Sequence, residues 1–266
     1  GRAVRGLGRG RGYNQLDPVR IARKSRVHPS VRIITYNIRK GKGHNGRSPV
    51  EMQAIGHALA EHQADLVLCQ EVFHCANTGA SQSGGLADAM GLCGCYGANK
   101  FRSLGHHGNS TFTRLAVEQF TNHDISTNRV ERRGALYMRL SMNDRPLHVF
   151  NVHLGLNRWQ RLEQIKQIVG LADSVGKPGE PMLLAGDFND WRRELDDVIV
   201  NTLGFENALA AQSPESVRTW HARRPVFSLD RIYTRNLEVA RAGRLDGAPW
   251  SELSDHLPLF ADLSAT

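Results

Sequence analysis

Ala185-Gly186-Asp187-Phe188-Asn189 is the most informative stretch of this sequence, and Ser254-Asp255-His256 follows it later in the chain. Each lies beside a short apolar run, residues 182–185 or 257–260, that is typical of a buried strand. An unpaired charge in an apolar interior costs free energy, so ionisable side chains at these positions need a chemical purpose. A divalent metal ion and a phosphate group are the simplest partners for such a set.

Length and composition place the chain among ordinary globular proteins. With 266 residues, 40% hydrophobic and 23% charged, it is long enough for one large α/β domain or two smaller ones. No stretch approaches the roughly 20 apolar residues of a membrane helix, and the Arg/Gly-rich start lacks the apolar segment of a secretory signal. We therefore expect a cytoplasmic protein, with peripheral association at the membrane as the alternative. The sequence does not indicate an oligomeric state.

The net charge of +8 lies entirely in the first segment of the chain. Residues 1–32 contain nine Arg or Lys residues and one acid, whereas the remainder contains 25 bases and 25 acids. We predict a basic N-terminal arm over residues 1–30 and one folded domain over residues 31–266. The basic residues up to position 32 could bind nucleic acid or an anionic lipid surface by screened, non-specific attraction. A solvated tail without a partner is an equally good interpretation of this composition.

Strands and helices are predicted to alternate in some parts of the chain, whereas strands follow one another in others. Hydrophobic periodicity predicts helices from Ser48-Pro49, over residues 86–92 and 159–172, and near residues 192–200. Apolar or β-branched runs predict strands at residues 31–36, 65–69, 110–113, 116–120, 135–140, 147–152, 182–185, 229–233 and 257–263, with a hairpin turn at Asn143-Asp144. This mixture favours packed mixed sheets covered by helices in one domain.

Polar side chains recur where the predicted strands end, and the crevice at strand ends is where α/β sheets bind ligands. These side chains are Asn37, Glu71, His153, Asp187 with Asn189, Asp230, and Asp255 with His256. Each by itself has an ordinary explanation as a turn former, a helix cap, a structural histidine or a surface acid. Together they contain oxygen ligands for a metal ion, phosphate-binding groups and two imidazoles.

The oxygen ligands indicate which metal ion the set would bind. Glu71, with help from Asn37 and Asp255, suits Mg²⁺ or Mn²⁺, which bind oxygen atoms and bridge to phosphate. The ion would polarise a P–O bond. An imidazole and a carboxylate could then activate water, a contribution of about 10²–10⁴-fold to the rate.

Six short motifs occur in a fixed order along the chain: Thr35-Tyr36-Asn37, Cys69-Gln70-Glu71-Val72, Asn151-Val152-His153-Leu154, Gly186-Asp187-Phe188-Asn189, Leu229-Asp230-Arg231-Ile232 and Ser254-Asp255-His256. In these motifs the sequence resembles the endonuclease/exonuclease/phosphatase superfamily, over residues 31–263. That superfamily includes deoxyribonucleases, abasic-site endonucleases, neutral sphingomyelinases and inositol-phosphate 5-phosphatases. More narrowly, Asp187-Phe188-Asn189-Asp190-Trp191 and Leu229-Asp230-Arg231-Ile232-Tyr233 resemble the bacterial members associated with cardiolipin synthase.

The resemblance implies a fold and a metal site. The fold is a four-layer α/β sandwich, in which two mixed β-sheets pack face to face with helices outside, and residues 31–266 would form this catalytic domain. Glu71 would be the principal ligand of Mg²⁺, or of Mn²⁺, with Asn37 beside it and Asp255 near the metal.

The resemblance also implies catalytic roles. Asp187 and Asn189 would position the attacking water and the phosphate, and Asp230 would orient an imidazole. His256 would be the general base or would bind phosphate, whereas His153 would stabilise the phosphoryl oxygens or protonate the leaving group. Two further residues, Asn109 and Arg231, are expected to contact substrate. For Asn109, a role as a plain turn residue is the alternative.

Three functions are consistent with these residues. The first is a metal-dependent hydrolase of a phosphodiester, with a phospholipid headgroup or a related small phosphoester as substrate, because the basic surplus lies outside the core. The alternative is an Mg²⁺-dependent DNA or RNA endonuclease or exonuclease that grips its substrate with the arm. His153 stands where abasic-site enzymes carry Tyr, which disfavours abasic-site repair. An inactive binding module ranks last, since no expected acid or imidazole is missing.

Overall fold

The computed structural model describes residues 30–75 and 81–265, together with the backbone of residues 14–16. Its strands are β1 Asn14–Leu16, β2 Val31–Asn37, β3 Leu66–Cys75, β4 Cys93–Arg102, β5 Gly105–Thr113, β6 Ala116–Asp124, β7 Gly134–Met142, β8 Arg145–His153, β9 Met182–Asp187, β10 Glu206–Asn207, β11 Asp230–Arg235, β12 Leu237–Arg244 and β13 Leu259–Ala265. Its helices are α1 Met52–Ala60, α2 Gln82–Met90, α3 Arg158–Val175, α4 Asp196–Leu203 and α5 Trp250–Leu253.

The strands form two sheets. The first has the order β1-β4-β5-β3-β2-β13-β12, and the second has the order β10-β11-β9-β8-β7-β6. The pairs β2–β3 and β8–β9 are parallel, whereas the other neighbouring strands are antiparallel. Both sheets are therefore mixed.

Three apolar clusters separate four layers. Side chains of both sheets, such as Leu68 and Leu183, meet in a core between the sheets. The outer face of the first sheet packs against α1 and α2, through Ile55 among others. The outer face of the second sheet packs against α3 and α4, through Ile165 and Ile199. The predicted four-layer sandwich with helices outside is confirmed.

Each sheet contains one βαβ unit, and the two units position the site. Helix α1 connects the parallel strands β2 and β3, and α3 connects β8 and β9. The carboxyl ends of parallel strands lie at the same edge of a sheet. Asn37 is thereby opposite Gln70 in the first sheet, and His153 is opposite Asp187 in the second.

Gly186 allows the two strands of the second unit to approach closely. Its φ is +145°, and a Cβ built there would lie 1.9 Å from the carbonyl oxygen of Val152 on β8. A side chain at this position would push β9 away from β8. The glycine before Asp187 is therefore required by backbone packing.

The structure corrects some predicted boundaries. Helix α1 begins at Met52 and not at Ser48-Pro49, because the Val50 amide donates to the carbonyl of Gly41 (2.8 Å) and holds this segment outside the helix. Helix α3 begins at Arg158, where the Asn157 side chain caps it. Strands β4 and β12 were not predicted, since β4 is rich in glycine and β12 carries charged side chains of low strand propensity.

Part of the predicted arm belongs to a sheet. Residues 14–16 form β1, which lies antiparallel to β4 at the edge of the first sheet. The other arm residues up to position 29 are outside the described part of the chain. Among the residues that the structure describes, none of the helices combines the length and apolar character needed to cross a bilayer.

Candidate active site

The two sheets meet at Asn37 and Asp187. The side-chain amide of Asn37, the last residue of β2, donates to Oδ2 of Asp187, the last residue of β9, over 2.9 Å. Both side chains are buried. This bond joins the ends of the two βαβ units and fixes the Asp187 carboxylate at their junction.

Both predicted imidazoles face the Asp187 carboxylate. The Nε2 atoms of His153 and His256 lie 3.5 and 3.8 Å from its Oδ2. Its Oδ1 accepts from the backbone amide of Asn189 (2.9 Å), and the Asn189 side chain donates to the carbonyl of Leu154 (2.9 Å). Asp187 is therefore the central acceptor of the site, and burial raises its pKa.

Asp230 pairs with His256, which the sequence alone did not reveal. Nδ1 of His256 lies 2.8 Å from Oδ2 of Asp230. Burial alone would lower the pKa of His256, but the carboxylates of Asp230 and Asp187 outweigh it and raise the pKa. The His256 imidazole therefore carries a positive charge at neutral pH in this arrangement.

His153 differs from His256 in its charge. Burial lowers the pKa of His153 well below its ordinary value, and the cation of Arg133 acts in the same direction. The two imidazoles beside Asp187 thus favour opposite protonation states, which is typical of sites that move protons.

Asp230 and His256 were predicted to lie at the ends of strands, but neither does. Asp230 begins β11, and His256 precedes β13. Because β11 is antiparallel to β9, its first residue is opposite Asp187, the last residue of β9. The start of an antiparallel strand thus reaches the same edge as the end of its neighbour.

Glu71 also departs from the predicted position. It lies inside β3 at a break in register between Cys69 and Val72, with a positive φ of 55°, so that a bulge and not the strand end aims its side chain. Lys40 forms an ion pair with its carboxylate. Burial opposes ionisation, but electrostatic interactions with the His153 imidazole and with the Lys40 ammonium group outweigh it and lower the pKa of Glu71 to about 2.

The three predicted metal ligands, Glu71, Asn37 and Asp255, offer oxygen atoms, the donors that a hard divalent cation prefers. Glu71 supplies an ionised carboxylate, and the amide oxygen of Asn37, which accepts from the Arg39 amide (3.0 Å), lies on the neighbouring parallel strand. Asp255 accepts from Trp220 Nε1 (3.3 Å) and pairs with Arg39 Nε (3.3 Å). Oxygen atoms of this kind suit Mg²⁺ or Mn²⁺.

A second group of potential ligands is less suited to a metal ion. Single atoms of Asp187, Asp230 and His256 lie within 4.8 Å of one another. Nδ1 of His256 is already engaged with Oδ2 of Asp230 (2.8 Å), and Oδ2 of Asp187 accepts from the Asn37 amide (2.9 Å), so hydrogen bonds within the protein occupy these atoms. This group is better explained as a hydrogen-bonded carboxylate–imidazole relay.

The side chains of Asn109 and Arg231 have partners outside the cluster of Asp187, Asp230 and His256. Asn109 is buried, and its amide donates to the carbonyls of Gly134 (3.1 Å) and Asn151 (3.0 Å). Arg231 donates to the carbonyl of Asp190 (3.3 Å) and pairs with Asp196 on α4 (3.5 Å). Both side chains support the surrounding structure in these positions, and neither lines the cleft described next.

The site opens into a cleft of about 960 Å³. Its lining includes Glu71, His153, Asp187, Asn189 and His256 together. It also includes basic residues that the sequence analysis did not assign to the site: Lys40, Lys42, Lys100, Arg102, Arg132 and Arg133. They come from three separate segments of the chain, the loop after β2, the end of β4 and the β6–β7 loop, so no local pattern in the sequence marks the three pairs as neighbours.

Comparisons with known proteins agree with this geometry. The model of the Endonuclease/Exonuclease/phosphatase family matches residues 34–256. Over 245 residues the chain is 33% identical to YbhP of Escherichia coli K12, an uncharacterized protein, with 88% of this chain and 96% of YbhP covered.

Solved structures share the fold. An endonuclease/exonuclease/phosphatase from Bacteroides vulgatus superposes with a TM-score of 0.74 at 19% identity, over 89% of this chain and 99% of that one. A humanized TDP2 from D. rerio gives 0.69 at 18% identity, over 90% and 100% of the two chains. With the family model spanning every motif from Asn37 to His256, the chain belongs to the endonuclease/exonuclease/phosphatase family.

Proposed function

We propose that the chain is a metal-dependent hydrolase of phosphodiester bonds, acting on a phospholipid headgroup or a related small phosphoester. Membership of the family supports a phosphoester hydrolase. The observation that carries the proposal is the position of Asp187, which contacts Asn37 and faces both imidazoles in the cleft that also contains Glu71.

In this proposal Glu71, Asn37 and Asp255 hold the cation, which is Mg²⁺, with Mn²⁺ as the alternative. When bound, the cation polarises a P–O bond and offsets negative charge on the phosphate. Glu71 is suited to this role because its carboxylate stays ionised at neutral pH.

The other side chains orient the phosphate and water. Asp187 and Asn189 hold the attacking water, with the Asp187 carboxylate as proton acceptor. The charged His256, oriented by Asp230, binds phosphoryl oxygens; its raised pKa favours this role over that of a general base. The neutral His153 donates a hydrogen bond to the phosphoryl group; to protonate the leaving group, it would first have to take up a proton, which its lowered pKa disfavours.

The lipid preference rests on the narrower resemblance to bacterial members associated with cardiolipin synthase. The argument from charge is weaker than the sequence indicated, because six basic residues line a cleft in a domain of neutral composition. This lining favours a second candidate function, an Mg²⁺-dependent DNA or RNA endonuclease or exonuclease. In either case the basic arm would add non-specific attraction to an anionic surface.

A substrate panel with a matched inactive variant tests the proposal. Wild type and His256→Ala are incubated with Mg²⁺ and a chromogenic phosphodiester, anionic phospholipids, plasmid DNA or RNA, and the products are quantified. We expect Mg²⁺-dependent release of a phospholipid headgroup by the wild type and a loss of about 10²-fold or more in the variant.

Two results would contradict the proposal in different ways. DNA cleavage that persists at moderate salt, without lipid hydrolysis, would replace the lipid substrate by nucleic acid. Equal activity of a folded His256→Ala variant and the wild type would remove the assigned site.

A further inference from the structure

Three exposed aliphatic side chains surround the mouth of the cleft. Leu104 is 66% exposed at the tip of the β4–β5 hairpin, Val130 is 79% exposed in the β6–β7 loop, and Leu156 is 55% exposed after β8. All three line the same cleft. Apolar side chains gathered at one place on the surface mark a site of interaction.

Hydrogen bonds fix the backbone at two of these three residues, Val130 and Leu156. The Asn128 side chain accepts from the amides of Val130 (2.9 Å) and Glu131 (2.7 Å), which fixes the tip of its loop. The Glu131 carboxylate accepts from Arg133 (2.8 Å) and from the Leu156 amide (3.2 Å). The Glu131 carboxylate therefore links the loop that carries Val130 to the backbone at Leu156.

Basic side chains surround the same tips. We name residues 100–104 and 128–133 the rim loops; they contain five bases and one acid, namely Lys100, Arg102, Arg129, Arg132, Arg133 and Glu131. The five bases line a groove of about 610 Å³ that shares residues with the catalytic cleft. Burial lowers the pKa of Lys100, and the cations of Arg102 and Arg133 lower it further. An anionic partner would relieve this crowding of positive charge.

We propose that the rim loops and Leu156 dock on a bilayer that contains anionic phospholipid, with the catalytic cleft facing the lipid headgroups. The bases attract the anionic surface, and the aliphatic tips enter the boundary between headgroups and acyl chains. Single-stranded nucleic acid is bound by aromatic platforms on which bases stack, and Phe101 on the rim and Trp191 in the cleft are exposed aromatic side chains. The three most exposed apolar side chains of the cleft lining are nevertheless aliphatic, which favours a lipid surface. The inference rests on the phosphodiester hydrolase proposed above, to which it adds access to a membrane-held substrate.

Vesicle binding of the full chain tests this surface. Co-sedimentation is measured with vesicles of phosphatidylcholine, with and without phosphatidylglycerol, in EDTA so that binding is separated from turnover. The variants are Leu104→Ser/Val130→Ser and, as matched control, Val200→Ser, which removes an exposed aliphatic side chain from α4. Thermal unfolding confirms that each variant is folded.

We expect the wild type and Val200→Ser to bind the phosphatidylglycerol vesicles with equal affinity. The double variant should bind them at least about tenfold more weakly. The difference should persist at high salt, where attraction by the arm is screened. Equal binding by a folded double variant and the wild type would overturn the proposal. The proposal would also be overturned if the wild type bound a single-stranded DNA oligonucleotide but no vesicles, and if the double substitution abolished this DNA binding.

This experiment separates the docking surface from the enzyme. Hydrolysis of a chromogenic diester without vesicle binding refutes the docking surface and leaves the proposed hydrolase intact. Vesicle binding without hydrolysis of any phosphoester refutes the hydrolase.

Discussion

Nδ1 of His256 lies 2.8 Å from Oδ2 of Asp230, while its Nε2 lies 3.8 Å from the Asp187 carboxylate. The imidazole is thus held between two buried acids that come from different strands of the second sheet. This arrangement fixes the orientation of the ring and stabilises its positive charge.

Replacing Asp230 by Asn should preserve the geometry of the hydrogen bond to His256 but remove the negative charge of the acceptor. We expect kcat for a chromogenic diester to fall by about 10²- to 10⁴-fold. In the metal-free protein, NMR titration of the His256 ring should show a lower pKa in Asp230→Asn than in the wild type. The raised pKa means that the charge is present at neutral pH and is lost only as pH rises through the folded value. Unchanged titration would contradict the pairing.

Glu71 and Lys40 should affect metal binding in opposite directions. Glu71→Gln removes a charged ligand and is expected to weaken Mn²⁺ binding by about 10- to 100-fold or more. Lys40→Gln removes a cation that occupies the same carboxylate, so Mn²⁺ should bind more tightly. Electron paramagnetic resonance of free Mn²⁺ in the absence of substrate measures both effects.

A rim carboxylate serves as the control for these two variants. Glu131→Gln should leave Mn²⁺ affinity unchanged, because Glu131 pairs with Arg133. A Glu71→Gln variant that binds Mn²⁺ like the wild type would remove Glu71 from the ligand set.

Gly186→Ala should destabilise the fold strongly. Its Cβ would lie 1.9 Å from the Val152 carbonyl, so we expect the free energy of unfolding to fall by about 3 kcal/mol. Gly170→Ala, on the exposed side of α3 with nothing near its Cβ, should instead raise it by up to about 1 kcal/mol. Urea unfolding monitored by circular dichroism measures both. A Gly186→Ala protein as stable as the wild type would show that β8 and β9 separate easily.

His107 should make stability depend on pH below neutrality. Burial is the main cause that lowers its pKa to about 4, from an ordinary value of 6.5. Between these values the unfolded chain binds a proton that the folded chain does not, so stability decreases as pH falls. The free energy of unfolding should therefore decline less steeply from pH 7 to pH 4 in His107→Gln than in the wild type.

The exposed His57 of α1 provides the control for this comparison. His57→Gln should follow the wild-type profile, since its side chain is in solvent. Parallel profiles for His107→Gln and the wild type would contradict the assigned pKa shift.

Local patterns were sufficient to predict much of the fold. Apolar runs identified the central strands, and Asn143-Asp144 forms the predicted turn between β7 and β8, both residues having positive φ. These features depend on neighbouring residues, so a single sequence contains them. Strand β4 escaped prediction because its glycines lack strand propensity, and its pairing with β1 and β5 is visible only in the folded structure.

Side-chain direction explains why Asp230 lies beside His256 whereas Arg231 faces away from it. Successive residues of a strand point to opposite faces. Asp230 faces His256 near the junction of the sheets, so Arg231 turns to the other face and pairs with Asp196 on α4. The alternation was visible in the sequence, but the face that contains the site was not.

By itself, the sequence determined the order of the strands and helices that carry the site, and the chemical character of Asn37, Glu71, Asp187 and His256. These properties are local, because apolar periodicity and residue type do not depend on distant contacts. Only the tertiary structure decided that Asp230 stabilises the positive charge of His256 and that a bulge orients the Glu71 side chain. It also decided that basic residues from distant segments line one cleft. Such relationships join residues far apart in the chain, and they arise only when two βαβ units pack with their strand ends together.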